Sequence, residues 1–212
     1  QQSENYIIKD NFLSTHTKTL ELINENSSIL DLGCNDGELG AYLKKKNCKI
    51  TGVDKKKQLD KNDLDLYVSS DLDNGLPSID YNKFDYILIL DVIEHLLKPE
   101  KFLSELKKKI TSNSKVKILI STPNIAFIVI RLMLLIGFFN YGKRGILDKT
   151  HTRLFTFSSF KHLLEQHGFS ITKSYGIPAP FPLAIKNNLI AKTLISINSF
   201  LIKLSKGLFS YQ

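Results

Sequence analysis

The chain has 212 residues, 42% of them hydrophobic and 24% charged, which suits a single domain with a full apolar core and excludes general disorder. Net charge is +8, but no basic stripe interleaved with aromatics stands out, so no nucleic-acid partner is expected. Cys34 and Cys48 form no metal-ligand pattern and residues 1–10 are polar, unlike a secretion signal, so a reduced cytoplasmic setting is the simple expectation.

In chain order, residues 15–24 read as a short helix with Leu20 and Ile23 inward. Residues 28–32 are a short apolar strand ending at Gly33, and residues 38–46 a helix. Strands follow at 48–53, ending at Asp54, and at 66–69. Residues 84–90 (FDYILIL) are apolar at consecutive positions, as a central parallel strand with two covered faces should be. A helix at 99–110 has Pro99 in its first turn, where the missing N–H costs nothing, and 116–121 is a fifth strand. Alternating strands and helices predict a doubly wound α/β fold around a mostly parallel sheet.

After Pro123 the pattern changes. Residues 125–139 are apolar except for Arg131, too few to span a bilayer (about 20 are needed), and read as a buried or lid helix. Residues 140–150 are a loop, 158–167 a helix stopped by Gly168, and 169–174 a strand. Pro178, Pro180 and Pro182 then interrupt regular structure. Beyond them Ile190, Leu194, Ile197, Leu201, Leu204 and Leu208 form one helical seam, widened by Ile195, Phe200 and Ile202, and from residue 166 onward there are five lysines and no acid. Packing on the parent domain, a peripheral membrane-surface helix over 189–208, and a dimer seam are the three readings of that segment. The domain reading is 1–176 for the main body, with 122–157 as a cover over the acceptor, and 177–212 as a basic amphipathic tail.

The chemistry concentrates in ILDLGCNDGELG at 29–40. A strand runs into a glycine turn, where backbone can approach a ligand closely and take positive φ, and a helix follows. Asp31 sits at the strand end. Asp54 ends the next strand, 21 residues beyond Gly33, where a carboxylate can bind ribose hydroxyls. Asp71 follows the third strand and could meet an adenine amino group. Three acids at three successive strand ends, on the edge where open α/β sheets bind ligands, mark a nucleoside site.

These runs, with GVD at 52–54, SDLD at 70–73, FDYILILDVIEHL at 84–96 and STPN at 121–124, resemble class I S-adenosylmethionine-dependent methyltransferases over roughly residues 14–175. The resemblance implies a Rossmann-like sheet of the seven-stranded type. It implies that S-adenosylmethionine is the cofactor and S-adenosylhomocysteine the product. It implies that Asp31 and the loop of Gly33, Cys34, Asn35 and Gly37 contact the methionine moiety. Asp54 with Lys55 would hold the ribose, Asp71 with Leu72 the adenine, and Leu90, Asp91 and Val92 the cofactor's edge. Asn35 stands where the family usually has glycine, and asparagine tolerates left-handed backbone better than most residues. In this family the sheet usually ends with two further strands, for which residues 169–174 and 208–211 are the candidates, the chain then stopping inside the last.

The quinone-biosynthesis methyltransferases are similar in these motifs. Residues 121–141 and 145–169 resemble a bacterial subgroup linked to cell-surface polysaccharide or natural-product pathways. DLDNGL and STPN also resemble MetW-type proteins, which share the fold and suggest a partner-regulating module.

An oxygen acceptor gains from a general base, often about 10²–10⁴-fold. His95, following the fourth strand, and His151, in DKTHTR at 148–153, are the two candidates. Arg153 could bind an anionic acceptor group or pair with Asp148. His16 and Asn124 complete the expected acceptor contacts, and His162 and His167 read as surface residues. No oxygen-ligand set for a divalent ion stands out, so no metal is expected. The expected acceptor is a saccharide or glycolipid-like molecule, with a small quinone- or polyketide-like substrate as the alternative.

Overall fold

The computed structural model describes residues 12–57, 63–186 and 188–212. The polar stretch 1–10 lies outside them. Five strands, β1 (Ser28–Leu32), β2 (Lys49–Asp54), β3 (Leu66–Ser69), β4 (Tyr86–Leu90) and β5 (Lys117–Ser121), form one sheet in the order β3-β2-β1-β4-β5. Every described pair is parallel. The order reverses between β1 and β4, and the crevice beyond the carboxyl ends at such a switch is where this architecture binds ligands.

The two-residue period of the strands builds two cores. Leu30, Leu32, Ile87 and Ile89 face helices α3 (Pro99–Lys109) and α5 (Phe157–Gln166), which bring Phe102, Leu103, Leu106, Leu163 and Leu164. Ile29, Ile50 and Leu88 face Leu39 and Leu43 of α2 (Glu38–Lys44), with Ile23 from the end of α1 (Thr15–Leu22). Ser14 and Thr156 cap α1 and α5, each in a reciprocal box with the residue three positions on.

The two expected final strands are not formed. Residues 169–174 carry a strand-like alternation, but only Phe169 is half-buried and the rest are exposed, so nothing drives them against a sheet edge. Residues 208–211 fall within and just after a short helix, α8 (Lys206–Phe209). What remains of the pairing is short: Ile177 donates to Gln212 O (2.9 Å) and accepts from Tyr211 N–H (2.8 Å).

The two apolar segments also depart from expectation. Residues 125–139 contain only α4 (Ile128–Leu135), and Ile130 is its one buried residue. After a short α6 (Phe181–Ile185), α7 runs from Leu189 to Leu204 and stops there, because Ser205 is extended at φ −153°. The expected seam is not its packing face. α7 buries Ala191 and Asn198 with Ile202 from the flank of the seam, while Ile190, Ile197 and Leu204 point outward. The physical cause is Asn198, whose Oδ1 accepts Ala179 N–H (2.9 Å) and whose Nδ2 donates to Phe209 O (2.8 Å). Turning the seam inward would leave two backbone groups and a side-chain amide without partners, at a cost of about 1–3 kcal/mol per buried group.

Candidate active site

A cavity of about 480 Å³ opens at the switch point, within the usual size range of small-ligand sites. Its wall contains Asp31, Gly33, Cys34, Asn35, Asp54, Lys55, Asp71, Leu72, Leu90, Asp91 and Val92, together with His16 and His95. Gly37 stands outside the wall but shapes it: at φ 75° it starts α2 and donates to Cys34 O (2.9 Å). Glu38, Leu39, Lys56, Ser70, Asp73 and Leu96 also face the cavity and were not anticipated. All six lie within two positions of a predicted residue, which is the signal that could have found them.

The glycine loop is held from below. Gly33 and Cys34 N–H groups both donate to Val53 O, at 2.7 and 3.1 Å. Gly33 has φ 84°, and a Cβ there would come within 2.3 Å of Val92 Cγ2, so the ends of β1 and β4 approach as only glycine permits. Asn35 takes φ 50°, and its N–H donates to Asp54 Oδ2 at 3.0 Å. Asp54 Oδ1 accepts Lys56 N–H at 3.2 Å. One carboxylate thus joins the glycine loop to the turn after β2 and still presents lone pairs to the cavity. Asp71 closes its own turn, accepting from Asp73 N–H and Asn74 Nδ2.

Asp91 is bound more tightly. Its backbone sits at φ 54°, its Oδ1 accepts Ser121 Oγ (2.7 Å) and Gln212 Nε2 (2.6 Å), and Gln212 Oε1 in turn accepts Thr15 Oγ1 (2.8 Å). The C-terminal residues of the sequence are therefore threaded along one rim of the site, a contact that no local motif announces.

The histidines meet beside the cavity. His95 ends the 3-10 turn Ile93–His95, and its ring stands edge-on to His151 with centroids 4.7 Å apart. His151 Nδ1 lies 2.9 Å from Ile146 O, and His95 Nδ1 lies 3.2 Å from Thr150 O. A carbonyl can only accept, and the Thr150 hydroxyl donates to Asp148, so both Nδ1 atoms are donors, and the neutral His95 ring keeps its lone pair on Nε2. His95 is open on its solvent side, yet enough protein surrounds the ring that burial, then repulsion from His151, holds its pKa below the usual imidazole value. The loop carrying His151 is pinned by Glu94 O, which accepts from Thr152 and Arg153 N–H. Glu94 itself is 1% exposed, and burial, then the neighbouring Asp91 charge, keeps its carboxyl protonated well above the ordinary range. Neither oxygen reaches a hydrogen bond by strict geometry, although the Thr122 hydroxyl lies close enough to favour the charged form. One ligand atom each from Glu94, His95 and His151 fall within 4.8 Å of one another, a set that a divalent ion could bridge and that was not expected.

Two expected acceptor contacts are placed elsewhere. Asn124 is 3% exposed and absent from the cavity wall, and its amide donates to Gly207 O and Ser210 O while accepting Ala126 N–H, so both of its donors are taken within the fold. Arg153 pairs neither with the cavity nor with Asp148. Its guanidinium donates to Glu100 at the start of α3 (2.6 Å), while Asp148 accepts from Thr150. Cys34 faces the cavity, but burial, then Asp31, raises its thiol pKa, so it stays protonated and is no nucleophile.

The profile of the methyltransferase domain family matches residues 7–174. The chain belongs to that family. Over 94 residues the chain is 32% identical to the mitochondrial ubiquinone biosynthesis O-methyltransferase of Arabidopsis thaliana, a match covering 39% of this chain and 28% of that protein. The chain therefore aligns with well under two thirds of that relative's length. Its fold is shared with an S-adenosylmethionine-dependent methyltransferase from Archaeoglobus fulgidus (22% identity, TM-score 0.55, 92% of this chain and 87% of the other). A second, from Aquifex aeolicus, shares it at 17% identity and TM-score 0.52, over 78% and 84% of the two chains.

The cofactor of the methyltransferase domain is S-adenosylmethionine, and the cavity suits its charge. Asp31 is 4% exposed and lines the cavity, and no hydrogen bond to its carboxyl offsets the burial among the described residues. Burial, then the Asp54 charge, raises its pKa to about 7. An ammonium or sulfonium placed beside it would restore its charge. In the empty protein a raised carboxyl pKa means that the folded state binds more protons than the unfolded one, so this group lowers stability as pH rises from about 4 to about 7. A bound cation reverses the preference. Cofactor affinity is accordingly expected to be full above pH 7 and to fall by up to about tenfold per unit below it. Calorimetric titration with S-adenosylhomocysteine at about pH 7.5 and about pH 5.5, in buffers of different ionisation enthalpy, measures this together with the released proton. An affinity that does not change with pH would remove Asp31 from the cation's side.

Proposed function

We propose that the protein transfers a methyl group from S-adenosylmethionine to a hydroxyl of a saccharide or glycolipid-like acceptor. The observation that carries this reading is the placement of His95, at the cavity wall with Nδ1 turned to Thr150 O, so that Nε2 is its acceptor, and with His151 edge-on beside it. A hydroxyl is a weak nucleophile until its proton has somewhere to go, whereas an already anionic acceptor needs no such group. When bound, S-adenosylmethionine supplies an activated methyl and leaves as S-adenosylhomocysteine. The chain's contribution is to hold and orient: Asp31 and the 33–37 loop for the methionine end, Asp54 and Lys55 for the ribose, Asp71 and Leu72 for the adenine, and Leu90, Asp91 and Val92 at the reacting edge. His95 Nε2 accepts the hydroxyl proton, His151 keeps His95 unprotonated by repulsion, and His16 bounds the acceptor's side. Asp73 on the cavity wall, with Thr150 and His151 against His95, gives a polar surrounding that favours a hydroxyl-rich acceptor.

A quinone- or polyketide-like acceptor is the second reading, favoured by the stretch shared with the ubiquinone methyltransferase and by the apolar α4 segment. A panel of glycosides, nucleotide sugars and catechols, read by S-adenosylhomocysteine release, separates the two. Turnover confined to catechols would overturn the saccharide reading. Binding of the cofactor with no turnover on any acceptor, together with tight association with another enzyme, would favour a MetW-like regulatory module.

A further inference from the structure

α7 is apolar on two sides. At 100° per residue, the buried Ala191, Asn198 and Ile202 share one arc. Ile190, Ile197, Phe200 and Leu204 share the opposite arc and are 64%, 52%, 61% and 68% exposed. Lys192 and Lys203, three turns apart, line one edge of that outer face. The Asn198 bonds to Ala179 and Phe209 lock the rotation of the helix, so the outward seam is a fixed feature of the fold.

α4 and the turn after it repeat the arrangement. Leu132, Leu135, Ile136 and Phe138 are between 53% and 81% exposed. α4 packs on a small cluster of Phe127, Ile130, Ile146, Leu147 and Ala179, Phe181 of α6 packs against the same cluster, and α6 in turn packs on α7. Exposed leucine, isoleucine and phenylalanine in this density mark an interaction site.

Charge selects the partner. Residues 1–124 carry 18 Lys and Arg against 19 acids, whereas residues 125–212 carry 11 against only Asp148 and Glu165. The whole net positive charge therefore belongs to the part of the chain that bears the apolar faces. A second copy docked through this surface would set two strongly basic segments against each other, while an anionic bilayer neutralises them. No helix among the described residues is long and apolar enough to cross a membrane.

We propose that the outer faces of α7 and α4 form a docking surface for an anionic lipid bilayer. The apolar side chains enter the boundary between headgroups and acyl chains, and Lys192, Lys203 and the neighbouring cations meet lipid phosphates. This holds whatever the methyl acceptor is, since it rests on surface residues away from the cavity.

Co-sedimentation of the full chain with vesicles tests it. Vesicles of phosphatidylcholine with about one third phosphatidylglycerol should carry the protein down at low salt, and phosphatidylcholine alone should not. The double variant Ile197→Asp, Phe200→Asp should lower partition at least about tenfold, and Leu135→Asp should lower it independently. Lys192→Gln should cost about fivefold. All these positions are exposed, so S-adenosylhomocysteine binding and melting temperature should stay at wild-type values and report an intact fold. The proposal is overturned if anionic vesicles are ignored, or if the aspartate variants bind them as wild type does. It is equally overturned if the chain forms a dimer that Phe200→Asp dissociates while vesicles have no effect, since a second copy then covers the face.

Discussion

Asp54→Ala is expected to weaken S-adenosylhomocysteine binding at least about a hundredfold. The wild-type carboxylate offers lone pairs for two ribose hydroxyls, and each charge-assisted bond contributes about 1.5–3 kcal/mol. The loss has a second source. Asp54 holds Asn35 N–H at 3.0 Å and Lys56 N–H at 3.2 Å, so its removal also frees the glycine loop from the turn after β2. The two contributions separate in Asp54→Asn, which keeps one acceptor oxygen without the charge and should fall between wild type and Ala. Isothermal titration gives the affinities, and the melting temperature of each ligand-free variant shows whether the sheet survives. The sheet should survive, because Asp54 is the last residue of β2 and belongs to neither core. Normal binding by the Ala variant would place the ribose elsewhere.

The second large effect is on turnover. His95→Ala is expected to lower kcat on a hydroxyl acceptor by about 10²–10⁴-fold while leaving cofactor affinity close to wild type. Neutral His95 is the active form, so protonation at low pH switches the enzyme off. Burial and His151 hold its pKa below the usual imidazole value, so the acid limb of the rate profile should lie below about pH 6.5. His151→Ala removes the repulsion and should move that limb upward. A merely structural His95 would change melting temperature and cofactor affinity and leave the limb where it was. An unchanged kcat in His95→Ala would exclude the imidazole from proton transfer.

Much of the architecture is legible in the sequence because it depends on short-range regularities. The apolar run at β4 is continuous because both sheet faces are covered there, and the alternation of short strands with helices admits little besides a parallel sheet. The cavity was legible for the same reason. Asp31, Asp54 and Asp71 each end or directly follow a strand, and parallel strands bring all their carboxyl ends to one edge. Spacing along the chain thus becomes proximity in space, and Gly33 and Asn35 are readable as positive-φ positions from residue type alone.

What the sequence could not determine are the choices made between segments far apart in the chain. Asn124 looked like an acceptor contact, but Gly207 and Ser210, more than 80 residues on, take its amide. Arg153 could have met Asp148 or a ligand, and the packing of α3 gave it Glu100. His95 and His151 are 56 positions apart and meet where Glu94 O pins Thr152 and Arg153, on the loop that carries His151. α7 shows the rule most plainly. Hydrophobic periodicity in the sequence marks Ile190, Ile197 and Leu204 as a stripe, but periodicity says only that a helix has an apolar side, not which side it buries. One buried amide, Asn198, with partners at Ala179 and Phe209, outweighed the stripe, because orphaned backbone groups in the interior cost more than apolar side chains left at the surface. The sequence by itself thus determined the sheet, the cofactor edge and the composition of the tail, and tertiary structure alone decided which way that tail faces.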